Sequence, residues 1–262
     1  MLPIANGADT PLHARVVERL AAAGCVAADE EATELVVAAS DPVALEALVR
    51  RRERGEPLAW ITGSVLFCGR RVHVTPGVYV PRRQSEELAR RAAARLPEHG
   101  RALDLCTGSG AVAAHLAAAA PLARVVGVEV DAWAAACARR NGVPVVVADL
   151  DAAVRPGAVF DLVTVVAPYV PTGALRHLAR DVPRYEPRHA LDGGADGLDV
   201  VRRAVAASAR ALRPGGWLLA ELGGDQDTRL APTLAARGFD DVDVWRDEDG
   251  DLRGLAARFA GS

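Results

Sequence analysis

The sequence predicts an α/β protein: a Rossmann-like, seven-stranded domain preceded by a small helical one. Three observations predict it. From about residue 84 onward, short apolar runs of strand length alternate with helical stretches. A glycine-rich turn, Cys106-Thr107-Gly108-Ser109-Gly110, joins the first of these runs to a helix. Residues 10–55 carry their apolar positions at helical spacing instead. Strand–helix alternation is the pattern of a mainly parallel sheet covered on both faces.

Thr10-Pro11 reads as a helix start, threonine as N-cap and proline in the first turn. Val16, Leu20 and Ala23 follow at helical spacing until Gly24. Asp29–Ala39 is a second helical segment. Asp41-Pro42 opens a third, with Leu45, Leu48 and Val49 on one face and a basic end, Arg50–Arg54, that reads as a solvated helix end or as a run able to meet an acidic partner. Residues 57–81 are richer in β-branched and aromatic residues and broken by Gly and Pro, so a β-hairpin linker is expected there. The domain bounds are then 1–56, 57–81 and 82–262. In the last of these the expected strands are Arg101–Leu105, Arg124–Val130, Pro144–Ala148, Phe160–Val166, Gly216–Leu222, Asp241–Arg246 and Leu252–Arg258. The expected helices are Ser85–Leu96, Gly110–Ala119, Ala132–Arg140, Leu198–Leu212 and Asp227–Arg237.

Composition removes several function classes. The net charge of −3 over 262 residues argues against a general nucleic-acid surface, and no direct DNA binding is expected. All 31 basic residues are arginine, so no lysine serves as general base or Schiff-base nucleophile. Cys25, Cys68, Cys106 and Cys137 are widely spaced, which suggests neither a zinc site nor a disulfide framework. No apolar run follows a basic start at the N-terminus, and none reaches a membrane-spanning length of about 18 residues. A cytoplasmic, non-membrane protein is expected; nothing in the sequence fixes its oligomeric state.

The glycine turn lets the backbone bend tightly beside a ligand. Gly108, Gly110 and Ala113 satisfy G-x-G-x-x-A, and Glu129 lies about 20 residues downstream, where an acid grips ribose hydroxyls. Taken alone, this fits a nicotinamide enzyme equally well. Asp104, near the end of the first strand, would face a pyrophosphate unfavourably. S-adenosyl-L-methionine carries an ammonium and a sulfonium instead. Asp149, near the end of the third strand, is placed to accept from an adenine amino group. Three acids at successive strand ends favour the sulfonium cofactor.

Seven blocks, in order, then resemble the protein-(glutamine-N5) methyltransferase family of the HemK/PrmC type: GEPLAWITGSVLFCGRRVHVTPGVYVPR, LDLCTGSGA, VVGVEVD, VADL, APYVPT, YEPRHALDGGADGLDVVRR and LRPGGWLLAELGGDQ. They cover roughly residues 50–260, and the likeness is to an actinobacterial side branch. The resemblance implies a class I S-adenosyl-L-methionine domain with a helical substrate-recognition domain before it. It implies cofactor contacts from Asp104, Thr107, Gly108, Gly110, Glu129 and Asp149, with Cys106, Ser109, Val130, Leu150 and Val166 beside them. It places Arg82, Ser85 and Glu86 at the border of the cofactor pocket. Arg82, Tyr169, Tyr185, Glu186 and Arg188 are the expected substrate contacts.

The family's Asn-Pro-Pro-Tyr motif stands here as Val166-Ala167-Pro168-Tyr169. An amide nitrogen is a poor nucleophile, and the family's Asn orients it by hydrogen bonds. Valine has neither donor nor acceptor. Three readings follow: methylation of a small-molecule hydroxyl or amine, glutamine methylation of a release factor or ribosomal protein through Tyr169 and backbone groups, or cofactor binding without catalysis. His73, His115, His177 and His189 are the candidate bases. Trp133 is read as core or as packing near the adenine. Asp192, Asp196 and Asp199 lack the spacing and bidentate Glu of a calcium loop.

Overall fold

The computed structural model describes residues 11–154, 159–178 and 182–261. Thr10, the expected first N-cap, lies outside them. The chain divides into two compact units, Met1–Val65 and Leu66–Ser262.

The first unit is helical: α1 (Pro11–Ala22), α2 (Ala28–Ala38), α3 (Pro42–Glu53) and α4 (Leu58–Thr62). Its core is Val16 and Leu20 against Leu35, Val36, Leu45 and Val49. Asp41 caps α3, accepting from Val43 N and Ala44 N at 2.9 and 2.8 Å. The basic end of α3 departs from expectation in part. Arg52 pairs with Glu31 of α2 at 2.5 Å, and Arg51 pairs with Glu56. Arg51 and Arg52 are held in these pairs, whereas Arg50 and Arg54 stay exposed as expected. α4 was not foreseen within residues 57–81. Its five residues open on Pro57 and stop at Gly63, which is left-handed at φ 81°.

After α4 a short ribbon, β1 (Ser64–Phe67) and β2 (Arg70–His73), supplies the expected hairpin. A single seven-stranded sheet follows: β3 (Arg101–Leu105), β4 (Arg124–Glu129), β5 (Val145–Val147), β6 (Phe160–Val165), β7 (Leu212–Glu221), β8 (Phe239–Arg246) and β9 (Leu252–Phe259). The order is β5-β4-β3-β6-β7-β9-β8. β3 to β7 run parallel, and β9 is antiparallel to both β7 and β8. The helices are α5 (Ser85–Arg95), α6 (Ala111–Ala119), α7 (Ala132–Arg140), α8 (Val182–Tyr185), α9 (Asp199–Ala211) and α10 (Gln226–Ala236). α5, α6 and α7 cover one face of the sheet, α9 and α10 the other.

α9 shows why these segments dock. Val201, Ala204, Val205, Ser208 and Ala211 recur at helical spacing and are all buried. They pack on the inward side chains of β6 and β7, including Val163, Val165, Leu218 and Ala220. β3 and β6 are buried along almost their whole length, as a parallel sheet with helices on both faces requires. β7 begins four residues before the expected Gly216; the irregular register between Phe160 and Leu162 accommodates the extra turn at Pro214-Gly215. Strand order reverses beside β3, between β4 and β6. That switch point is where an open α/β sheet binds its ligand, outside the carboxyl ends of the strands.

Candidate active site

A cavity of about 1010 Å³ opens at this point. Small-molecule sites run from about 300 to 1,000 Å³, so it has room for a cofactor and an acceptor together.

One end is built by the loop after β3. Cys106 has φ 57°, Gly108 φ 55° and Gly110 φ 80°. Gly110, the residue preceding α6, also meets Ala138 and Val143 so closely that a Cβ would lie 3.0 Å from each. On the neighbouring strand, a Cβ on Gly127 would lie 2.8 Å from the Thr107 side chain, so glycine there lets the loop lie flat on β4.

Asp104 is the anchor of this loop. It accepts from Thr107 Oγ1 and Thr164 Oγ1, each at 2.6 Å, and from the backbone N–H of Ala113. It is 2 % exposed and does not line the cavity. Burial pushes its carboxyl up to about 6, against the pull of these three donors. Glu129 lines the cavity at the end of β4, accepting from Gly108 N at 2.8 Å and Asp131 N at 3.0 Å. Cys106 also lines it, but burial and the carboxylates of Glu129 and Asp104 push its thiol well up, so it is no nucleophile at neutral pH. Val130, Asp149, Leu150 and Val166 complete the wall. Asp149 Oδ2 is paired with Arg203 at 2.9 Å.

Of the expected cofactor residues, Cys106, Gly108, Glu129, Val130, Asp149, Leu150 and Val166 therefore meet at the cavity. Asp104, Thr107, Ser109 and Gly110 stand behind them and shape the loop. The residues present fit S-adenosyl-L-methionine. The wall offers carboxylates at three adjacent points, Glu129, Asp131 and Asp149, and the Gly108 N–H nearby is already taken by Glu129.

The other end is formed by Val166-Ala167-Pro168-Tyr169 after β6, all four lining the cavity. Gln226, at the start of α10, fixes this backbone by donating from Nε2 to the Tyr169 carbonyl at 2.8 Å. Apolar residues face the motif: Val170, Leu178, Val182, Pro187 and Leu191. Arg82 lines the cavity as expected and pairs with Glu186, which is buried and also accepts from Val80 N. Glu186, Tyr185 and Arg188 do not line the cavity. Arg188 is turned outward onto Asp192, and the Tyr185 ring packs under Arg184. Ser85 and Glu86 likewise lie off the cavity wall, where Arg82, Arg83 and Gln84 stand instead.

Among the histidines, only His189 lines the cavity, its Nε2 3.6 Å from Asp131. His73 bonds Thr75, His177 accepts from Arg176, and His115 sits half-buried on α6. Trp133 is not core: it is exposed on α7, off the cavity wall, and donates to Pro76 O at 3.0 Å. Three wall or second-layer residues were missed from the sequence: Tyr79, Gln84 and Glu221. Glu221 carried a signal, an acid within the apolar run Trp217–Leu222.

A methyltransferase domain family model matches residues 102–185. The release factor glutamine methyltransferase of Geobacter sulfurreducens is 40 % identical over 220 residues, covering 82 % of this chain and 78 % of that protein. That of Mycolicibacterium smegmatis is 40 % identical over 233 residues, covering 83 % and 81 %. The 4-amino-L-phenylalanine/4-methylamino-L-phenylalanine methyltransferase of Streptomyces pristinaespiralis is 40 % identical over 202 residues, covering 72 % and 69 %. Among solved structures, the ribosomal protein L11 methylase of Lactobacillus delbrueckii shares the fold, with TM-score 0.50 and 16 % identity over 71 % of this chain and 84 % of that one. Fold and site thus define an S-adenosyl-L-methionine-dependent class I methyltransferase. Within that class, the chain belongs to the protein-(glutamine-N5) methyltransferase family. No helix among the described residues is long and apolar enough to cross a membrane.

Proposed function

We propose that this enzyme methylates an amine or hydroxyl on a small molecule. The observation that carries this reading is Val166, a side chain without donor or acceptor at the position where the family holds a substrate amide. An amide nitrogen reacts only when both ends of the amide are held, and a buried amide that loses one partner costs about 1–3 kcal/mol. An amine or alcohol needs no such clamp, and the apolar wall of Val170, Leu178, Val182 and Leu191 suits a largely apolar acceptor. A relative in the same family that acts on an arylamine supports the reading.

S-adenosyl-L-methionine, when bound, supplies an electrophilic methyl on a sulfonium. Glu129 is assigned to its ribose hydroxyls and Asp149 to its adenine edge, with Cys106, Gly108, Val130, Leu150 and Val166 beside it. The acceptor is held by Tyr169 and Arg82 and shielded from water by the apolar wall. The helices of residues 1–56 are assigned to acceptor recognition. The rival reading is glutamine methylation of a release factor, favoured by the relatives of that name.

Incubation of the full chain with methyl-labelled cofactor separates the two. Label is expected in 4-amino-L-phenylalanine or a related small amine and not in purified release factor; incorporation at a release-factor glutamine overturns the proposal. Val166→Asn is expected to create or raise glutamine activity. No change in that variant counts against amide positioning as the property that was lost.

A further inference from the structure

Behind the acceptor end of the cavity lies a polar triad outside the motif. Tyr169 donates its hydroxyl proton to Glu221 Oε1 at 2.9 Å. Gln84 Nε2 donates to the Tyr169 hydroxyl at 2.6 Å and to Glu221 Oε1 at 2.9 Å. Arg253 reaches the other end of the Gln84 amide, donating to Oε1 at 3.4 Å, which fixes the amide with its nitrogen toward the tyrosine. Glu221 is 1 % exposed at the end of β7, and its second oxygen, Oε2, has no hydrogen-bond partner among the described residues. Tyr169 and Gln84 line the cavity, whereas Glu221 does not.

A phenol has one proton and two lone pairs. Here the proton is committed to Glu221 and one lone pair to Gln84. The remaining lone pair is an acceptor. A group bound beside Tyr169 therefore has to bring its own N–H or O–H. In donating it, that group fixes the direction of its own lone pair. A buried carboxylate with one oxygen unpartnered is also costly to keep unless it has a task.

We propose that Glu221 and Gln84 lock Tyr169 as a proton acceptor for the methyl acceptor, with Glu221 as the final proton sink. As the bond from the nucleophile to the methyl carbon forms, the carbon–sulfur bond breaks and its electron pair stays on sulfur. The proton on the nucleophile passes to Tyr169 Oη, and the Tyr169 proton passes to Glu221 Oε1. Tyr169 contacts the acceptor and is a catalytic residue; Glu221 and Gln84 act through it. Burial and the Glu221 charge raise the phenol, so a free phenolate is not the base at neutral pH and the relay through Glu221 is needed. The other charged and titratable groups around the triad are Tyr79, Arg82 with Glu186, and Arg253 with Asp247 and Asp251.

The inference takes an N–H or O–H acceptor from the proposed function, but its geometry stands apart from the acceptor's identity, and two measurements separate them. The chain has only three tyrosines, so tyrosine ring carbons can be followed by NMR through an alkaline titration. In wild type with bound cofactor, Tyr169 is expected to resist ionisation, and Glu221→Gln to bring its titration down. Unchanged titration overturns the coupling, whatever the acceptor proves to be. With 4-amino-L-phenylalanine or release factor, whichever is methylated, Glu221→Gln and Tyr169→Phe are expected to lower kcat about 10²-fold, to leave cofactor affinity unchanged by calorimetry, and to flatten the acid limb of the pH profile. Partial recovery in Glu221→Asp is expected. Wild-type kcat and pH profile in Glu221→Gln overturn the relay. If neither acceptor is methylated, the proposed function fails there, and the tyrosine titration alone decides this inference.

Discussion

Asp104 has a different task from the one its position in the sequence suggests. A carboxylate at the end of β3 reads as a ligand for the positive end of the cofactor. In the structure it is sealed under the glycine loop, joining β3 to β6 through Thr164 and to the start of α6 through Thr107 and Ala113. Its pH behaviour follows. The folded carboxyl is raised to about 6 from 3.8, so the folded protein holds this proton more tightly than the unfolded chain. Stability from this group is present below about pH 4 and lost as pH rises through about 6, a change on the order of 3 kcal/mol. Chemical denaturation of wild type and Asp104→Asn across pH 4 to 7 checks this. The wild-type advantage over the variant is expected to shrink toward neutral pH, and parallel curves refute it. The acids at positions 104, 129 and 149 were legible as a set because each lies at or within two residues of a strand end. Which of them line the cavity was not, because one residue of register decides whether a strand-end side chain points into the cavity or under the loop.

At the scale of elements, the parallel strands and their helices were readable because fully apolar runs alternate with helical spacing, and the breaks at Gly and Pro mark their ends. α4 was not. Leu58–Thr62 is five residues long, too short to display a period, and its β-branched and aromatic content favours strand. Trp133 escaped for a similar reason: helix periodicity placed it on α7, but only tertiary structure shows Pro76 offering its carbonyl to the indole. The junction of β4 with the cofactor loop gives a prediction at this scale. Gly127→Ala would push a methyl into Thr107, which carries one of the three donors to Asp104. A loss of about 1–3 kcal/mol is expected from the overpacking. Cofactor affinity should fall several-fold, because Thr107 and Gly108 move together. Denaturation and calorimetric titration measure the two effects. Unchanged affinity would mean that the loop absorbs the displacement without help from β4.

For the whole molecule, the distribution of charge around the cavity decides between the two cofactors that the G-x-G-x-x-A spacing leaves open. At the ends of β3 to β5 the wall presents Glu129, Asp131 and Asp149, and Asp104 lies just beneath. Of the three arginines on the wall, two are already engaged, Arg203 with Asp149 and Arg82 with Glu186. The Gly108 N–H, which in a dinucleotide site would help hold the pyrophosphate, is bonded to Glu129. A diphosphate would meet the carboxylates of Glu129 and Asp131, which no arginine neutralises among the described residues, whereas an ammonium and a sulfonium meet opposite charge. Binding to the folded state alone raises stability by about 2.7 kcal/mol when ligand stands about a hundredfold above Kd. For a unit the size of Leu66–Ser262 that is a rise of roughly 5–11 °C in unfolding temperature. S-adenosyl-L-methionine is expected to produce it and NADH is not. Glu129→Ala should need far more cofactor for the same rise, since it removes both the carboxylate and the brace on Gly108 and Asp131. A shift with NADH but none with S-adenosyl-L-methionine would mean that the bonded Gly108 N–H and the three carboxylates do not set the cofactor preference.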